Sequence, residues 1–474
     1  MTTAPTSQPS FRLRLQDLPG PSALPLLGNM HQIKRKQFHL YLENWARQFG
    51  PYFQFKLGRK TWLVLSDPNL ISKVLRERPE HFRRLSSAAR GWDDIMLKGV
   101  FMAEGDAWRQ QRKLVMRAFT ADVVQRFFPQ LQQMVERLRL RWTAQVRAGQ
   151  AVDLLRDLKA FALDVTIALS FGQDVNAVEH TDNALPHDID AIFLRMAKRM
   201  TSAIPYWRYL RLPSDRAADA ATLRIAHAIM GFIHQARQRL QEQPQRRLKP
   251  DNLMEAMILT RDEADSGFSD NDVMGNAMTM VLAGEDTTAH SMAWLLDTLS
   301  REPHCCAQVR AELDQVSGDD KVLATHSVVE QLPLLDAVLQ ESMRLKTAAP
   351  VISMQTVHDV VLEDIWLPAQ TPVLLLLRHA GKQSADFKQA EEFLPQRWLP
   401  QDGAEPEATR KLLSFGGGPR LCPGRFLALQ EMKMLTAMIL KNFELVNLPG
   451  QTAQEMFSFT MTPSCLPVGL RLRA

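Results

Sequence analysis

One cysteine lies in a segment whose neighbours set it apart chemically. Cys422 follows the run Phe415-Gly-Gly-Gly-Pro-Arg-Leu and precedes Pro423 and Gly424. These glycines and prolines exclude a regular helix or strand, and they let backbone amides come close to a sulfur atom or a flat ligand. The periodic segment from Arg425 to Leu440 predicts a helix that begins beside the sulfur, where its dipole stabilises a thiolate. A lone cysteine is usually an inert buried side chain, but this setting favours a functional thiolate.

A long apolar helix carries the second group of reactive residues. The segment from Ser269 to Asp272 is typical of a capped helix start, and Pro303 is typical of a stop. At the usual rise per residue the helix is roughly 45 Å long, enough to cross a whole domain. Its central part, from Val273 to Leu299, is apolar on most faces, so we expect it to be buried.

Within this helix, Ala283-Gly-Glu-Asp-Thr287-Thr combines a glycine, two acids and two hydroxyls. A glycine inside a helix costs about 1 kcal/mol relative to alanine, and buried acids need partners. One interpretation is that Thr287 bonds back to the carbonyl four residues earlier and bends the helix. The other is that the helix opens beside Gly284, so that Asp286 and Thr287 can move protons. The residues alone leave both interpretations open.

Two further motifs are weak when taken singly. Glu341 and Arg344 share one helix face three residues apart, in a helix predicted roughly from Leu334 to Lys346. Trp108 and Arg112 place an indole N–H and a guanidinium four residues apart, which suits a pair of carboxylates. An ordinary amphipathic helix explains either motif equally well.

Taken together, the motifs resemble those of the cytochrome P-450 family. The pattern of Phe415, Gly418, Arg420, Cys422 and Gly424, with Ala428 beyond it, matches that family's haem-binding loop over ten residues. By this resemblance the cofactor is haem b, and the residues that bind it are Cys422 as the iron ligand with Trp108, Arg112, Phe415, Arg420, Gly424 and Ala283. The resemblance makes Asp286 and Thr287 the acid–alcohol pair that delivers protons, and Glu341, Arg344 and Arg397 a buried structural triad.

The sequence departs from the family pattern behind and beside the haem. Gln396 and Trp398 replace the usual residues on either side of Arg397. The family often places an arginine near Met354 or Gln355 to bind a propionate, and this chain has none there. His379 could compensate, although a histidine at the end of a strand is the simpler interpretation.

The resemblance also predicts a closed apolar chamber for a hydrophobic small molecule that is steroid-, terpenoid- or fatty-acid-like. Its expected walls are the loop from about Leu85 to Phe101, with Met280, Ala283, Ala348, Ala349, Val351, Ile352, Phe459, Thr460 and Met461. The stretch from Ile192 to Trp207 mixes apolar and basic residues. It predicts either an entry flap at a membrane surface or a plain pair of amphipathic helices.

Composition sets the fold class. The chain has 474 residues, of which 45% are hydrophobic and 23% charged, with a net charge of +5. Helical periodicity dominates, and the hairpin signal from Tyr52 to Leu65 accompanies it. We therefore expect a mainly α fold with minor antiparallel β, built as one catalytic domain over residues 31–474 behind a proline-rich arm over residues 1–30.

The same features predict location and partners. There is no signal peptide, membrane span, disulfide framework or nucleic-acid motif, so we expect a soluble cytoplasmic monomer. Few residues follow Cys422, too few for a flavin or iron–sulfur domain, so electrons should come from a separate ferredoxin or flavodoxin. We expect this acidic partner to dock on Arg109, Lys113, Arg117, Arg425 and Lys433.

Two other functions stay open at this point. One is a haem-thiolate enzyme that uses peroxide or isomerises its substrate without external electrons. The other is a haem sensor without catalytic activity. The pair Asp286 and Thr287 argues against the first, because enzymes of that kind commonly lack it, and the lack of a coupled output domain argues against the second.

Overall fold

A computed structural model of the chain describes residues 13–86, 98–180, 184–200, 206–400, 408 and 411–473. The helices are α1 (Phe38–Phe49), α2 (Pro68–Arg76), α3 (Gly105–Ala118), α4 (Ala121–Arg147), α5 (Leu154–Phe171), α6 (Leu185–Met200), α7 (Pro213–Glu242), α8 (Leu253–Asp262), α9 (Asp270–Leu299), α10 (Pro303–Ser317), α11 (His326–Glu330), α12 (Pro333–Leu345), α13 (Leu377–Ala380) and α14 (Arg425–Asn442). The strands are β1 (Leu13–Arg14), β2 (Tyr52–Leu57), β3 (Lys60–Leu65), β4 (Phe82–Arg84), β5 (Val351–Thr356), β6 (Val360–Leu362), β7 (Ile365–Leu367), β8 (Pro372–Leu376), β9 (Phe443–Asn447), β10 (Glu455–Phe457), β11 (Met461–Pro463) and β12 (Val468–Leu472).

The long helix α9 crosses the helical core. It begins as the sequence predicts, with a capping box in which Ser269 and Asp272 satisfy each other's backbone N–H groups. Most of its side chains between Val273 and Leu299 are buried. Helix α5 packs closely along it, and α12 and α14 contact it from other directions. This arrangement confirms the mainly α prediction.

A five-stranded sheet lies beside the helices, in the order β2-β3-β8-β5-β4. The predicted hairpin is present: β2 and β3 pair antiparallel, from Tyr52 opposite Leu65 to Leu57 opposite Lys60. Its tight turn uses Gly58 at a φ of +60°, where a side chain would be strained. The parallel contact between β3 and β8 joins this N-terminal hairpin to the C-terminal half of the chain.

The described part of the predicted N-terminal arm packs onto this scaffold. Strand β1 pairs in parallel with β7, and Leu18 is buried in the core beneath the sheet. The side chain of Asn29 accepts a hydrogen bond from the backbone of Lys56 at 2.8 Å. The boundary at residue 30 stays a prediction. Within the described ranges, no helix is both long and apolar enough to cross a membrane.

Candidate functional site

The Cys422 loop is held by its own backbone and by helix α2. The Cys422 N–H donates to the Phe415 carbonyl at 3.0 Å. Gly418 has a φ of +63°, and a Cβ there would lie 2.2 Å from the Leu75 carbonyl oxygen. Only glycine lets the loop approach α2 this closely. Helix α14 then begins at Arg425, as the sequence predicts, so its N-terminus lies beside the sulfur.

Some groups around Cys422 raise the pKa of its thiol and others lower it. Burial raises the pKa of its thiol, whereas the Gly424 N–H and the positive charges of Arg112 and Arg425 lower that pKa. The loop therefore offers several stabilising groups to a thiolate, but it does not hold the sulfur ionised by itself. A bound metal ion would remove the thiol proton.

A cavity of about 1830 Å³ separates this loop from helix α9. Cys422 and Phe415 line one side of it, and Ala283 and Thr287 line the other. Sites for drug-sized molecules usually measure about 300–1,000 Å³. The cavity is thus large enough for a large flat cofactor and a substrate together.

The two members of the predicted acid–alcohol pair face different surroundings. Thr287 lines the cavity, and its hydroxyl donates to the Ala283 carbonyl at 3.0 Å. Asp286 is buried and turned away from the cavity. Its Oδ1 lies 3.1 Å from the Lys159 ammonium and 3.8 Å from His290 Nε2. The structure therefore places the two residues side by side without joining their side chains.

Lys159 of α5 is a residue that sequence reasoning missed. Its ammonium contacts Asp286, Asp190 and, at 3.6 Å, Glu285. Burial works against the charged form of Lys159, but the carboxylates outweigh it and raise the pKa of this lysine. Burial also raises the pKa of Glu285 well above its ordinary value. Only tertiary packing brings α5 and α6 against this part of α9, so no sequence signal pointed to Lys159.

Gly284 has a packing role that the sequence interpretation did not foresee. It lines the cavity, but a Cβ built on it would lie 2.1 Å from the Thr166 hydroxyl oxygen of α5. The glycine is therefore required for the close approach of α5 to α9. The contact with Thr166 is sufficient to explain a glycine at position 284, without a need for ligand space beside it.

Basic side chains gather at the cavity wall near the Cys422 loop. Arg420 donates to the Ala103 carbonyl at 2.7 Å, pairs with Glu104, and lies 4.6 Å from the centre of the Trp108 ring. Arg112 donates to the Leu421 carbonyl at 2.5 Å. The structure thus brings Arg420 to the same part of the cavity wall as Trp108 and Arg112, which lie far earlier in the sequence.

Two more arginines, Arg78 and Arg84, join this group and were not predicted. Arg84 stacks over Phe101 with 3.7 Å from its guanidinium carbon to the ring centre. It lies opposite Met354 in the pairing of β4 with β5. An arginine therefore lies beside the position where the family often carries one, but on the neighbouring strand.

The residues around the cavity fit a haem. Nε and Nη2 of Arg78, and Nε and Nη1 of Arg420, are buried without a hydrogen-bond partner among the described residues. Burial, with the charge of Arg420, lowers the pKa of Arg78 to about 10, and Glu104 raises it only in part. Unpartnered buried donors of this kind call for an anionic ligand. The two propionates of a haem would satisfy them, with the Cys422 sulfur lining the same cavity.

The predicted triad is assembled behind the loop. Both Glu341 oxygens accept from Arg344 at 2.8 Å, and one accepts from Arg397 at 3.0 Å. Arg344 also donates to the Gly381, Ala390 and Glu392 carbonyls. The Trp398 indole donates to Glu341 at 2.8 Å, so this departure from the family pattern gives Glu341 a third side-chain partner.

Most of the described residues predicted for the substrate chamber line the cavity. Its walls include Met280, Ala283, Ala348, Ala349, Val351, Ile352, Phe459 and Thr460. Met461, the first residue of β11, is fully buried and outside the cavity lining, and its sulfur accepts from Arg378 at 3.6 Å, so the structure does not place it on the chamber wall. Thr460, in the turn that precedes β11, lines the cavity.

Other predicted walls are only partly tested. Leu85, Val100 and Phe101 line the cavity, but residues 87–97 of the predicted loop lie outside the described residues, as do residues 201–205 of the predicted flap. His379 lies in the short helix α13 and lines a separate pocket with Lys382. It is therefore neither a propionate ligand nor a strand-end histidine.

Comparisons with known proteins agree with this architecture. A sequence model of the cytochrome P-450 family matches residues 18–467. The chain is 24% identical to cytochrome P-450 76C4 of Arabidopsis thaliana, over 90% of this chain and 85% of that protein. It is 25% identical to the self-sufficient cytochrome P-450 monooxygenase CYP505E1 of Aspergillus niger, over 96% of this chain but 41% of that protein.

A solved structure described as a cytochrome P-450DA haem domain has the same fold. It superposes with a TM-score of 0.83 at 22% identity and covers 96% of this chain and 98% of its own. The cysteine loop, the long helix and the basic cavity wall thus occur in a fold already known to surround a haem. Together with the match over most of the chain, they show that this protein is a monooxygenase of the cytochrome P-450 family.

Proposed function

We propose that this monooxygenase binds haem b through Cys422 and oxidises a hydrophobic small molecule with electrons from a separate ferredoxin or flavodoxin. The observation that carries the proposal is the single cavity shared by the Cys422 sulfur, the Thr287 hydroxyl and the unpartnered arginine donors. Substrates of steroid, terpenoid or fatty-acid type fit the mainly apolar walls and the large volume.

Each residue at the cavity has a proposed task. The propionates would be held by Arg78, Arg84, Arg112, Arg420 and Trp108. Beside the sulfur, the packing would come from Phe415 and Gly424. When bound, the haem supplies the iron that activates dioxygen, and a thiolate ligand supplies electron density that favours O–O cleavage.

The protein's own part in oxygen activation is proton delivery from α9. Thr287 presents its hydroxyl on the cavity side, and Asp286 holds a carboxylate one residue away. The Lys159 ammonium lies 3.1 Å from that carboxylate, and Asp190 beyond Lys159 is exposed to solvent. Protons would pass from Asp286 to Thr287 when the Thr287 hydroxyl leaves the Ala283 carbonyl.

Fewer basic side chains are available to a redox partner than the sequence indicates. Arg109 pairs with Glu80 and Asp106 at 2.7 and 2.6 Å, and Lys433 pairs with Asp336 at 2.9 Å. Lys113 and Arg117 are exposed, and within the described ranges no ion pair involves them. We therefore assign the docking of an acidic partner chiefly to Lys113 and Arg117.

The first test is the absorption spectrum of the dithionite-reduced protein under carbon monoxide, for the wild type and for Cys422→Ser. A strongly red-shifted Soret band in the wild type that is lost in the variant would support thiolate ligation by Cys422. The control is Cys465→Ser, which changes a cysteine away from the cavity lining and should keep the wild-type band. A band of the histidine-ligated type, or no bound haem, would refute the proposal.

A further inference from the structure

Two exposed histidines meet at the edge of the five-stranded sheet. His81 directly precedes the edge strand β4, and His358 lies in the turn between β5 and β6. The Nδ1 atom of His81 lies 3.1 Å from the Nε2 atom of His358, and the ring centres are 5.0 Å apart. The two residues are 277 positions apart in the sequence, so only the pairing of β4 with β5 brings them together.

Backbone contacts on both sides hold the two histidines in place. The His81 carbonyl accepts from the Val357 N–H at 2.9 Å, which extends the pairing of β4 with β5 by one residue. The His81 N–H donates to the Glu77 carbonyl at 2.9 Å. On the other side, the Asp359 carboxylate accepts from the Ala369 N–H at 2.8 Å. The two rings therefore project from backbone that is already fixed.

The distance between the two ring nitrogens suits neighbouring ligands of one metal ion. Imidazole nitrogens bind Zn²⁺ at about 2.0–2.1 Å, so two of them that bind at an angle of about 90–109° lie about 2.8–3.4 Å apart. The 3.1 Å between His81 and His358 lies within this range. A hydrogen bond between two neutral rings fits the same distance and uses the same nitrogen atoms. An ion would therefore replace that hydrogen bond after a small rotation of the exposed rings.

The surroundings of the two rings favour a cation that arrives from solvent. Both rings are exposed, and an exposed carboxylate stands next to each of them in the sequence, Glu80 before His81 and Asp359 after His358. Glu80 pairs with Arg109 at 2.7 Å. Among the described residues, no salt bridge involves Asp359, so its negative charge remains available to attract a cation.

The kind of ligand determines which ion fits. Imidazole suits Zn²⁺, Ni²⁺ and Cu²⁺, whereas Mg²⁺ and Ca²⁺ take oxygen ligands. In the part of the chain that the structure describes, no third histidine, cysteine or carboxylate completes a set with His81 and His358. The one group of three potential ligands there consists of the carboxylates around Lys159, where the ammonium already takes the place of a cation. Water would fill the other positions on an ion at the two histidines, which makes the site an exchangeable one.

We propose that His81 and His358 form an exchangeable site for a divalent transition-metal ion such as Zn²⁺. An ion held by both rings joins the edge strand β4 to β5. Because β4 carries Arg84, which stacks over Phe101 at the cavity wall, the ion would fix this part of the wall from the outside. Metal binding here requires neither haem nor substrate, so it is independent of the proposed function.

Calorimetric titration of the full-length protein with Zn²⁺ tests the site. The protein carries no polyhistidine tag and is first freed of metal with EDTA. We expect one Zn²⁺ to bind per chain, with no comparable binding of Mg²⁺. Because a ligand that binds only the folded state stabilises it, saturating Zn²⁺ should also raise the Tm by about 2–4 °C.

The decisive variants are His81→Gln and His358→Gln, each made singly. Two ligands on one ion bind far more tightly than either alone, so each variant should weaken Zn²⁺ binding about 100-fold or more. The matched control is His234→Gln, which removes an exposed histidine of α7 and should bind Zn²⁺ as the wild type does. In EDTA all three variants should unfold at the temperature of the wild type, because an exposed hydrogen bond contributes little to stability.

Three results would overturn the metal site. One is a wild-type protein that binds no Zn²⁺. Another is undiminished Zn²⁺ binding by either His81→Gln or His358→Gln. A third is binding of Mg²⁺ as tight as that of Zn²⁺, which would assign the ion to carboxylates. None of them affects the carbon monoxide spectrum that tests Cys422, so the two proposals fail separately.

Discussion

The Thr287 hydroxyl has one bond within its helix and one proposed role at the cavity. The residue lines the cavity, yet its hydroxyl donates to the Ala283 carbonyl one turn earlier. Threonine hydroxyls inside helices commonly make this bond, and it slightly bends the helix. The bond accounts for the present position of the hydroxyl, and a substitution tests whether the same hydroxyl also delivers protons.

We expect Thr287→Ala to uncouple electron consumption from product formation. Loss of a positioned proton donor typically costs about 10²–10⁴ in rate, so the product formed per NAD(P)H consumed should fall sharply while substrate binding changes little. The control is Thr279→Ala, which removes the same kind of back-bond, to Gly275 at 2.7 Å, two turns earlier on α9. Equal coupling in Thr287→Ala and the wild type would contradict the proton-delivery role.

Asp164 provides a pH dependence at the residue scale. Its two oxygens accept from the Ala177 and Val178 N–H groups at 2.7 and 3.2 Å. Burial nevertheless raises the pKa of this carboxyl to about 6 from an ordinary value of 3.8. Because the folded state holds the proton more tightly than the unfolded state, this contribution to stability is complete below about pH 4. It is lost as the pH rises through about 6.

Asp164→Asn should therefore flatten the stability profile between about pH 4 and 6. The free energy of unfolding lost by the wild type across this window through Asp164 is about 3 kcal/mol. Urea unfolding at several pH values measures it. Asp174→Asn is the comparison, because a hydrogen bond from Arg137 lowers the pKa of Asp174, and that variant should keep the wild-type fall. A profile of Asp164→Asn parallel to that of the wild type would show that Asp164 does not titrate in this range.

At the scale of elements, the contact of α5 with α9 determines the shape of the site. It sets the depth of the cavity wall at Gly284, and it brings Lys159 to the carboxylate of Asp286. The same interface therefore sets both the packing of the cavity wall and the contact between Lys159 and Asp286. Changes at the interface should affect both stability and coupling.

Gly284→Ala tests this interface. Alanine gains about 1 kcal/mol in helix propensity, but its Cβ would lie 2.1 Å from the Thr166 hydroxyl oxygen, so overpacking of about 1–3 kcal/mol should outweigh the gain. Adding Thr166→Ala should restore stability in a double-mutant cycle of thermal unfolding.

Gly231→Ala on α7 is the matched control for this prediction. A Cβ at Gly231 meets nothing within 4 Å, so that variant should gain up to about 1 kcal/mol. The interpretation of the interface would be wrong if Gly284→Ala were stabilising to the same extent.

At the scale of the whole molecule, positive charge is unevenly placed. The net charge is +5, and Lys113 and Arg117 of α3 are exposed and in no ion pair within the described ranges. They follow Trp108 and Arg112 along α3, near the cysteine loop that Arg112 contacts. This part of α3 is therefore the surface at which the proposed docking of an acidic partner is tested.

We expect Lys113→Glu combined with Arg117→Glu to slow reduction by an acidic ferredoxin about tenfold at low salt and to weaken its salt dependence. Stopped-flow reduction at several ionic strengths measures both quantities. Lys34→Glu combined with Lys56→Glu, with the same change in net charge elsewhere, should behave as the wild type. Unchanged rates and an unchanged salt slope in the α3 variant would exclude this docking face.

The sequence by itself determined the local features. The capping box at Ser269, the hairpin turn at Gly58 and the glycine-rich loop before Cys422 depend on neighbouring residues, so their structure follows from local chemistry. The family assignment depended on these features, which is why it could be made before the fold was known.

The tertiary structure decided which side chains meet. Arg84 lies beside Met354 only because β4 pairs with β5, and Lys159 reaches Asp286 only because α5 packs on α9. Met461 lies outside the cavity lining because it packs against Arg378 of α13. Such contacts join residues distant in sequence, or depend on the orientation of an element toward its neighbours, and no local pattern encodes either.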